Sequence, residues 1–198
     1  MPDVRRATED DLPAIGRALA AAFADDPVWA WMTSPRSDWP SRSAAWFEAE
    51  ARVQMRGHGS VLVDEAVHGA AIWAPPGQWK STVGDAAALA VPSLRLFRSR
   101  MPRAVKAVNT NERLHPTDPP HWYLAILGTD PAHQGTGVGG ALIGAVTDRC
   151  DTEALGAYLE SSKEQNLAFY ARHGFEVRQA LELPHGPRVW TMWREPRC

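Results

Sequence analysis

The sequence predicts a mixed α/β fold, of the kind also described as α+β, from three observations. Segments with a helical spacing of apolar residues are interspersed, in mixed order, with short apolar segments typical of strands. The 198 residues fit one domain with a hydrophobic core better than two domains. Hydrophobic residues make up 44% of the chain and charged residues 22%, as in ordinary globular proteins. We therefore predict a single domain over residues 1–198.

In the first part of the chain, a short strand precedes two helices and a hairpin. Apolar residues from Leu12 to Phe23 share one helical face, and Asp26-Pro27 is predicted to end that helix. The other predicted elements are a strand at 4–6, a helix at about 40–56, and strands at 59–63 and 70–74 around a turn.

The second part of the chain alternates helices and strands. Residues 81–113 have a helical composition, but Pro92 and Pro102 are predicted to split or kink that segment. HWYLAILGT, residues 121–129, is the clearest strand, because it is short, apolar and bounded by proline on both sides. The remaining predicted elements are a helix from Gly137 to about Cys150, a strand at 157–159, a helix at 163–173, and strands at 175–183 and 188–194.

Charge, apolar runs and cysteine content exclude several classes of protein. The net charge of −2 and the pI of about 6.4 argue against a nucleic-acid partner. No apolar run approaches the roughly 20 residues of a membrane span, and the first residues lack the apolar centre of a signal peptide. With only Cys150 and Cys198, a disulfide framework is not expected. We predict a cytoplasmic protein without a membrane partner.

Tryptophan is unusually frequent, with nine residues, and most of them lie in the first 80 positions. Large aromatic side chains usually fill the core of a protein, which is the first interpretation. A substrate cleft lined by aromatic rings is the alternative.

The stretch TDPAHQGTGVGGAL, residues 129–142, places four glycines between the clearest strand and the next helix. Glycine destabilises a helix relative to alanine, so its clustering at a helix start needs a reason. A glycine-rich turn before a helix leaves backbone N–H groups free and lets an anionic group approach them. The stretch therefore predicts a phosphate-binding turn.

Three phosphate-binding motifs compete for these glycines. A Walker loop requires lysine after Gly140, but Ala141 follows, and this excludes the motif. The dinucleotide fingerprint matches Gly135, Gly137 and Gly140, and Glu160 lies about 20 residues further on, where a ribose-binding acid belongs. Too few residues remain for the further βα units of that fold, however, and the turn before the first glycine is long. The fingerprint is therefore disfavoured.

The third motif is Gln134-x-x-Gly137-x-Gly139 after a strand that ends in Thr-Asp-Pro, and it resembles motif A of the GNAT acetyltransferase superfamily. The resemblance continues in SKEQNLAFYARHGFEV, residues 162–177, with the family's asparagine, aromatic–tyrosine pair and Gly-Phe strand start. It is closest to the puromycin N-acetyltransferase-like branch, over the N-terminal helix and the residues from 121 onward. Over residues 30–115 the resemblance to the family is less specific.

This resemblance implies a GNAT fold: one mixed, largely antiparallel sheet whose splayed central strands are flanked by helices. The pantetheine arm of acetyl-CoA would lie between strands 121–129 and 157–160 and pair with their free backbone groups. An N–H near Leu127 would polarise the acetyl carbonyl. The implied cofactor-binding residues are Leu127, Gly128, Thr129, Gln134, Gly135, Thr136, Gly137, Val138, Gly139, Gly140, Asn166 and Phe169.

The resemblance also implies an acid and a base. Tyr170 matches the family's position for the phenol that protonates the departing thiolate, and a packing tyrosine is the alternative. Strand 121–129 has no carboxylate, so Glu160 is the candidate base, directly or through water, with a purely structural glutamate as the alternative. The histidines show no metal-ligand spacing, and we predict no metal.

We predict transfer of an acetyl group from acetyl-CoA to a primary amine of a small molecule, such as an aminonucleoside or another amine-bearing antibiotic. The predicted acceptor-binding residues are Phe23, Asp26, Trp29 and Trp122, and an acid among them would hold an ammonium group before its deprotonation. Two rivals remain: a protein or peptide N-acetyltransferase, and a non-catalytic acyl-CoA-binding module. The protein is expected to be a monomer or a homodimer.

Overall fold

A computed structural model describes residues 2–33, 37–57 and 59–197, which form a seven-stranded sheet with helices on both faces. The strands are β1 (Val4–Arg6), β2 (Ser60–Asp64), β3 (Gly69–Ala74), β4 (His121–Thr129), β5 (Gly156–Ser161), β6 (Glu176–Glu182) and β7 (Arg188–Arg194). The helices are α1 (Leu12–Ala22), α2 (Pro27–Met32), α3 (Trp39–Arg56), α4 (Val83–Phe97), α5 (Met101–Leu114), α6 (Val138–Glu153) and α7 (Leu167–Arg172).

The sheet is mixed and largely antiparallel, as predicted. Its strand order is β1-β2-β3-β4-β5-β7-β6. Only the central pair, β4 and β5, is parallel, and all other neighbours run antiparallel. A parallel pair needs a long crossover, which α6 supplies between β4 and β5.

The two central strands separate halfway along β4. Their pairing runs from His121 opposite Gly156 to Leu124 opposite Leu159. In the described part of the chain, residues 125–129 have no partner on β5. On the other side of β4, a register shift between Ile72 and Trp73 leaves Ala125 as a bulged residue. The predicted splaying is therefore confirmed, and Ala125 is exposed in the middle of the sheet.

The core is divided between the two faces of the sheet. Helices α1–α5 cover one face, where Ile126 of β4 packs with residues such as Leu19 and Phe47. Helices α6 and α7 cover the other face, where Trp122 and Leu124 of β4 are buried. Alternation alone would place Trp122, Leu124 and Ile126 on one face, so the extra residue at the Ala125 bulge is what turns Ile126 to the other face.

Two local predictions differ from the structure. Asp26-Pro27 begins α2 instead of only ending α1, because the Asp26 carboxylate accepts hydrogen bonds from the N–H groups of Val28 and Trp29, both at 2.9 Å. Pro92 does not interrupt α4, whereas Pro102 lies in the first turn of α5 as a proline should. One proline removes a single helical hydrogen bond, and the alanine- and leucine-rich residues around Pro92 favour the helix.

Within the described residues, no helix is both long and apolar enough to cross a membrane.

Candidate active site between the splayed strands

Two glycines of the glycine-rich turn have a left-handed backbone conformation. Gly135 and Gly137 have φ angles of +79° and +91°, in the region that favours glycine. Between them, Thr136 Oγ1 donates a hydrogen bond of 2.7 Å to the His133 carbonyl. Gln134 Nε2 donates to the Thr129 carbonyl at 3.3 Å, so the turn is fastened to the end of β4.

Helix α6 presents free backbone donors to this turn. Its first bond within the helix runs from the Ala141 N–H to the Gly137 carbonyl at 2.9 Å. The N–H groups of Val138, Gly139 and Gly140 precede it, so no helical carbonyl accepts from them. They lie at the positive end of the helix dipole, and residues 134–137 are exposed. An anionic group can therefore bind here through main-chain atoms.

Other parts of the chain support the turn from two sides. A Cβ atom at Gly139 would lie 3.4 Å from the ring of Phe169 on α7. The first turn of α6 therefore packs against that ring. On the other side, the His133 ring stacks on His68 at 3.7 Å, and His68 Nδ1 lies 3.0 Å from Asp64 Oδ2. No local pattern in the sequence predicts this histidine pair, because β2 and β3 bring His68 there from far away in the chain.

The free part of β4 contacts the N-terminal helix α1. A Cβ atom at Gly128 would lie 2.8 Å from both Ala22 and Leu19, so glycine is required for this close approach. Leu127 and Thr129 flank it, each half-buried. Among the described residues, no strand pairs with the edge that these residues turn toward β5.

Tyr170 lies on α7 and is buried at 8% exposure, with its ring 5.3 Å from Phe169 and 6.1 Å from Phe175. Burial, together with the nearby charge of Asp26, raises the pKa of the Tyr170 phenol well above its usual value. The phenol is therefore neutral and able to donate a proton at physiological pH. Asn166 precedes α7, and its N–H donates to the Lys163 carbonyl at 3.1 Å.

Glu160 lies on β5 immediately after the last residue that pairs with β4. Tyr123 donates a hydrogen bond of 2.8 Å to Glu160 Oε2. Burial raises the pKa of Glu160 to about 7, although Tyr123 and Tyr158 both stabilise the ionised form. A carboxylate with this pKa is half-ionised near neutrality, which suits a general base.

Two buried histidines support the tyrosines beside Glu160. His115 Nε2 lies 3.0 Å from His121 Nε2, and His121 Nδ1 lies 2.8 Å from the Pro119 carbonyl. Burial lowers the pKa of His121, and it lowers the pKa of His115 to about 3. The His115 ring meets the Tyr123 ring edge-on at 4.7 Å. Sequence reasoning missed this cluster, although polar and aromatic residues alternate with apolar ones at the starts of β4 and β5.

The structure brings together two of the predicted acceptor-binding residues, Phe23 and Trp29. Their ring centroids are 5.9 Å apart, and both rings pack on Phe47 of α3. Trp46 meets Trp29 at 5.1 Å. Phe23 also approaches Gly128, so this aromatic cluster lies beside the free half of β4.

Asp26 and Trp122 are placed differently from the other predicted acceptor residues. Asp26 is 1% exposed, and its second oxygen accepts a hydrogen bond from Ser162, so the carboxylate does not reach the cleft surface. Trp122 is 3% exposed on the α6 face of β4, where its indole donates to Glu153 and Arg149 covers the ring. A strand's side chains alternate between faces, so Trp122 and Tyr123 cannot line the same cleft.

A groove of about 680 Å³ opens beside the end of β5. Its walls include Ser162, Lys163, Pro27 and the start of β7 at Arg188. Lys163 forms an ion pair with Asp25 across the groove. This volume lies in the range of small-molecule sites.

No group of three described histidine, cysteine, aspartate or glutamate side chains is arranged to hold a metal ion.

Comparisons with known proteins show that the chain is similar to acetyltransferases. A model of the acetyltransferase (GNAT) domain family matches residues 105–177. An uncharacterized N-acetyltransferase of Schizosaccharomyces pombe is 28% identical over 209 aligned positions, covering 97% of this chain and 83% of the relative.

Solved structures show the same fold. A Corynebacterium glutamicum protein described as histone acetyltransferase HPA2 and related acetyltransferase superposes with a TM-score of 0.69 at 26% identity, covering 100% of this chain and 97% of the other. Arylalkylamine N-acetyltransferase 2 of Aedes aegypti gives a TM-score of 0.66 at 10% identity, covering 98% of this chain and 99% of the other. At this low identity the similarity concerns the fold alone.

The sheet with splayed central strands and the glycine turn at the start of α6 define a GNAT acetyltransferase fold. The family model and the S. pombe and C. glutamicum proteins show that this chain is similar to GNAT N-acetyltransferases, a superfamily whose enzymes use acetyl-CoA. They do not confirm the resemblance to the puromycin N-acetyltransferase-like branch.

Proposed function

We propose that this protein transfers the acetyl group of acetyl-CoA directly to a primary amine of a small molecule, with both substrates bound at once. The observation that carries the proposal is the gap between β4 and β5. Glu160 directly follows the last β5 residue that pairs with β4, and Tyr170 packs on Phe169, which lies beside the start of α6.

The residues around the gap fit acetyl-CoA, which supplies the activated acetyl thioester. The unpaired edge of β4 at residues 125–129 offers backbone groups to the amides of a pantetheine arm. The N–H groups of residues 134–140 would hold the diphosphate, and an N–H near Leu127 would polarise the acetyl carbonyl. Asn166 and Phe169 would contact the coenzyme from the α7 side.

Glu160 and Tyr170 would move the protons. The neutral amine would attack the carbonyl carbon with its lone pair, and Glu160, directly or through a water, would take the one N–H proton that the nitrogen loses as the amide forms. The C–N bond forms, the C–S bond breaks, and Tyr170 gives its proton to the departing sulfur. Glu160 then releases its proton and Tyr170 regains one from solvent, so the cycle is balanced.

A small acceptor is supported by the closure of one end of the cleft. The Trp31 indole N–H of α2 donates a hydrogen bond of 2.8 Å to the His185 carbonyl in the β6–β7 turn. A Cβ atom at Gly186 would lie 2.9 Å from Trp31, so the two walls are closely packed. An extended peptide acceptor would need this passage open. Within small amines, aminonucleosides are the class suggested by the puromycin-branch motifs.

The test is a thiol-release assay with acetyl-CoA across a panel of amines, including puromycin, a diamine, an arylalkylamine and short peptides. We expect release that depends on one class of small primary amine, with the acetylated product identified by mass spectrometry. Acetylation of peptides alone would support the peptide N-acetyltransferase. Tight acetyl-CoA binding without release in the presence of any amine would support the binding module.

A further inference from the structure

Arginine side chains surround the end of α7, next to the start of α6. Arg172 lies in the last turn of α7, and its guanidinium carbon is 5.9 Å from the centre of the Phe169 ring. Arg197, near the end of the chain, lies against Gly174, where a Cβ atom would be 2.5 Å from Arg197 Nη2. Both arginines are exposed. The proposed function assigns no role to either of them.

Two aromatic rings of this region touch the start of α6. A Cβ atom at Gly139 would lie 3.4 Å from Phe169, and one at Gly140 would lie 3.4 Å from His173 Cε1. The centroids of these two rings are 5.0 Å apart. Gly139 and Gly140 carry two of the free N–H groups at the helix start. Arg172 lies near the first ring and precedes His173 in the chain, so a cation lies beside the proposed diphosphate site.

The electrostatic surroundings of His173 are positive. Burial lowers the pKa of its imidazole, and the charges of Arg172, Arg194 and Arg197 lower that pKa further. The Arg194 guanidinium is neutralised by Asp151, to which it donates hydrogen bonds of 2.7 and 2.6 Å. In the part of the chain that the structure describes, neither Arg172 nor Arg197 forms an ion pair. Three arginines with one carboxylate leave an excess of positive charge at this place.

An excess of cations next to free main-chain donors favours a ligand with more than one anionic group. Acetyl-CoA has this pattern, because it carries a phosphomonoester on the ribose 3′ carbon in addition to its diphosphate. The second pKa of a phosphomonoester is about 6, so the group has close to two negative charges at neutral pH. The planar guanidinium of arginine matches two phosphate oxygens at once. Main-chain N–H groups serve the diphosphate, which leaves the arginines for the second phosphate.

We propose that Arg172 and Arg197 form a second anion site, which binds the ribose 3′-phosphate of the coenzyme and selects the coenzyme over its 3′-dephospho form. The inference rests on the proposed function, which places the diphosphate at the start of α6. The ribose would then lie over Phe169 and His173, between the glycine-rich turn and the two arginines. Arg194 takes no part, because Asp151 and the His173 carbonyl accept its hydrogen bonds.

The test is calorimetric titration of the full chain with coenzyme A and with 3′-dephospho-coenzyme A. We expect the wild-type protein to bind coenzyme A about 25-fold more tightly than the dephospho form, because of the charge-assisted hydrogen bonds to the phosphate. Arg172→Gln and Arg197→Gln should each reduce this preference about fivefold, or about 1 kcal/mol. The whole change should come from weaker binding of coenzyme A, with the affinity for the dephospho form unchanged.

Arg149→Gln is the matched control. The Arg149 guanidinium also lies over an aromatic ring, that of Trp122 at 4.7 Å, but the residue is about 16 Å along α6 from the helix start. We expect this variant to keep both affinities. Arg172→Lys separates charge from packing on Phe169, because lysine keeps the charge without the planar group. It should bind coenzyme A more tightly than Arg172→Gln does.

Equal affinity of the wild-type protein for the two coenzymes would overturn the inference. Equal loss of affinity for both coenzymes in the glutamine variants would also overturn it, because the arginines would then bind the diphosphate. An unchanged preference in one variant would overturn the role of that arginine, and equal affinities of Arg172→Lys and Arg172→Gln would overturn the role of its charge. These results leave the proposed function intact. A wild-type protein that binds neither coenzyme would instead contradict the proposed function.

Discussion

The Ser162 hydroxyl donates a hydrogen bond to the buried carboxylate of Asp26. These residues lie at the end of β5 and at the start of α2, so the contact fastens the N-terminal helices to the central strands beside the gap. The same carboxylate also holds the first N–H groups of α2. Asp26 thus joins the start of α2 to the end of β5.

Asp26→Ala should destabilise the fold. The variant loses the N-cap of α2 and leaves the Ser162 hydroxyl without its acceptor, so we expect the free energy of unfolding to fall by about 2 kcal/mol. Asp26→Asn keeps an oxygen for the cap and should cost less. Urea denaturation of both variants measures the difference, and equal stability of Asp26→Ala and wild type would contradict the role.

Tyr170→Phe should slow turnover while coenzyme affinity stays near normal. The variant keeps the ring that packs on Phe169 and Phe175 but removes the proton given to sulfur. We expect kcat to fall about a hundredfold. Steady-state kinetics and acetyl-CoA titration check both quantities. An unchanged kcat would remove Tyr170 from the mechanism and leave it a packing residue.

Glu160→Gln should stabilise the protein at alkaline pH while abolishing most activity. Burial raises the pKa of Glu160 from 4.5 to about 7, so folding is favoured by the protonated form. That contribution is fully present below pH 4.5 and is lost as the pH rises through about 7. Ionised Glu160 therefore costs about 3 kcal/mol at pH 8.5, which glutamine avoids.

Thermal denaturation at two pH values measures this effect. Relative to wild type, the melting temperature of Glu160→Gln should be clearly higher at pH 8.5, and the gain should be much smaller at pH 5. The same gain at both pH values would mean that the carboxylate is not held in a desolvated site.

Gly137→Ala should weaken coenzyme binding, because Gly137 has a φ of +91° at the start of α6. An alanine there is strained, and relief of that strain would turn the N–H groups away from the phosphate site. We expect the acetyl-CoA dissociation constant to rise about tenfold, or about 1.4 kcal/mol.

Gly144→Ala is the control within the same helix. A Cβ atom at Gly144 meets no heavy atom within 4 Å. Alanine should therefore raise the stability by about 0.5–1 kcal/mol and leave acetyl-CoA binding unchanged. Equal effects of the two substitutions on calorimetric affinity would contradict a special role for the turn.

Local signals made the glycine-rich turn predictable from the sequence, whereas its phosphate binding stays a prediction. The glycines, the apolar strand before them and the helix after them are contiguous, and Gly135 and Gly137 have the positive φ angles that glycine readily adopts. The strands and most helices followed in the same way from short-range patterns. The start of α2 at Asp26 was missed, because the residues that end α1 also begin the next helix.

The surroundings of Glu160 were not predictable in this way. Its hydrogen bond from Tyr123 depends on the register between β4 and β5, and the two residues lie far apart in the chain. The side of the sheet on which Trp122 lies depends on the same register and on the bulge at Ala125. Neither the strand register nor the position of the bulge can be read from a single sequence.

Calorimetric titration of the protein with acetyl-CoA, with NAD as the comparison ligand, tests the central claim most directly. We expect saturable binding of one acetyl-CoA per chain, weakened in Gly137→Ala, and no heat from NAD. Clear affinity for the dinucleotide without affinity for acetyl-CoA would contradict the account.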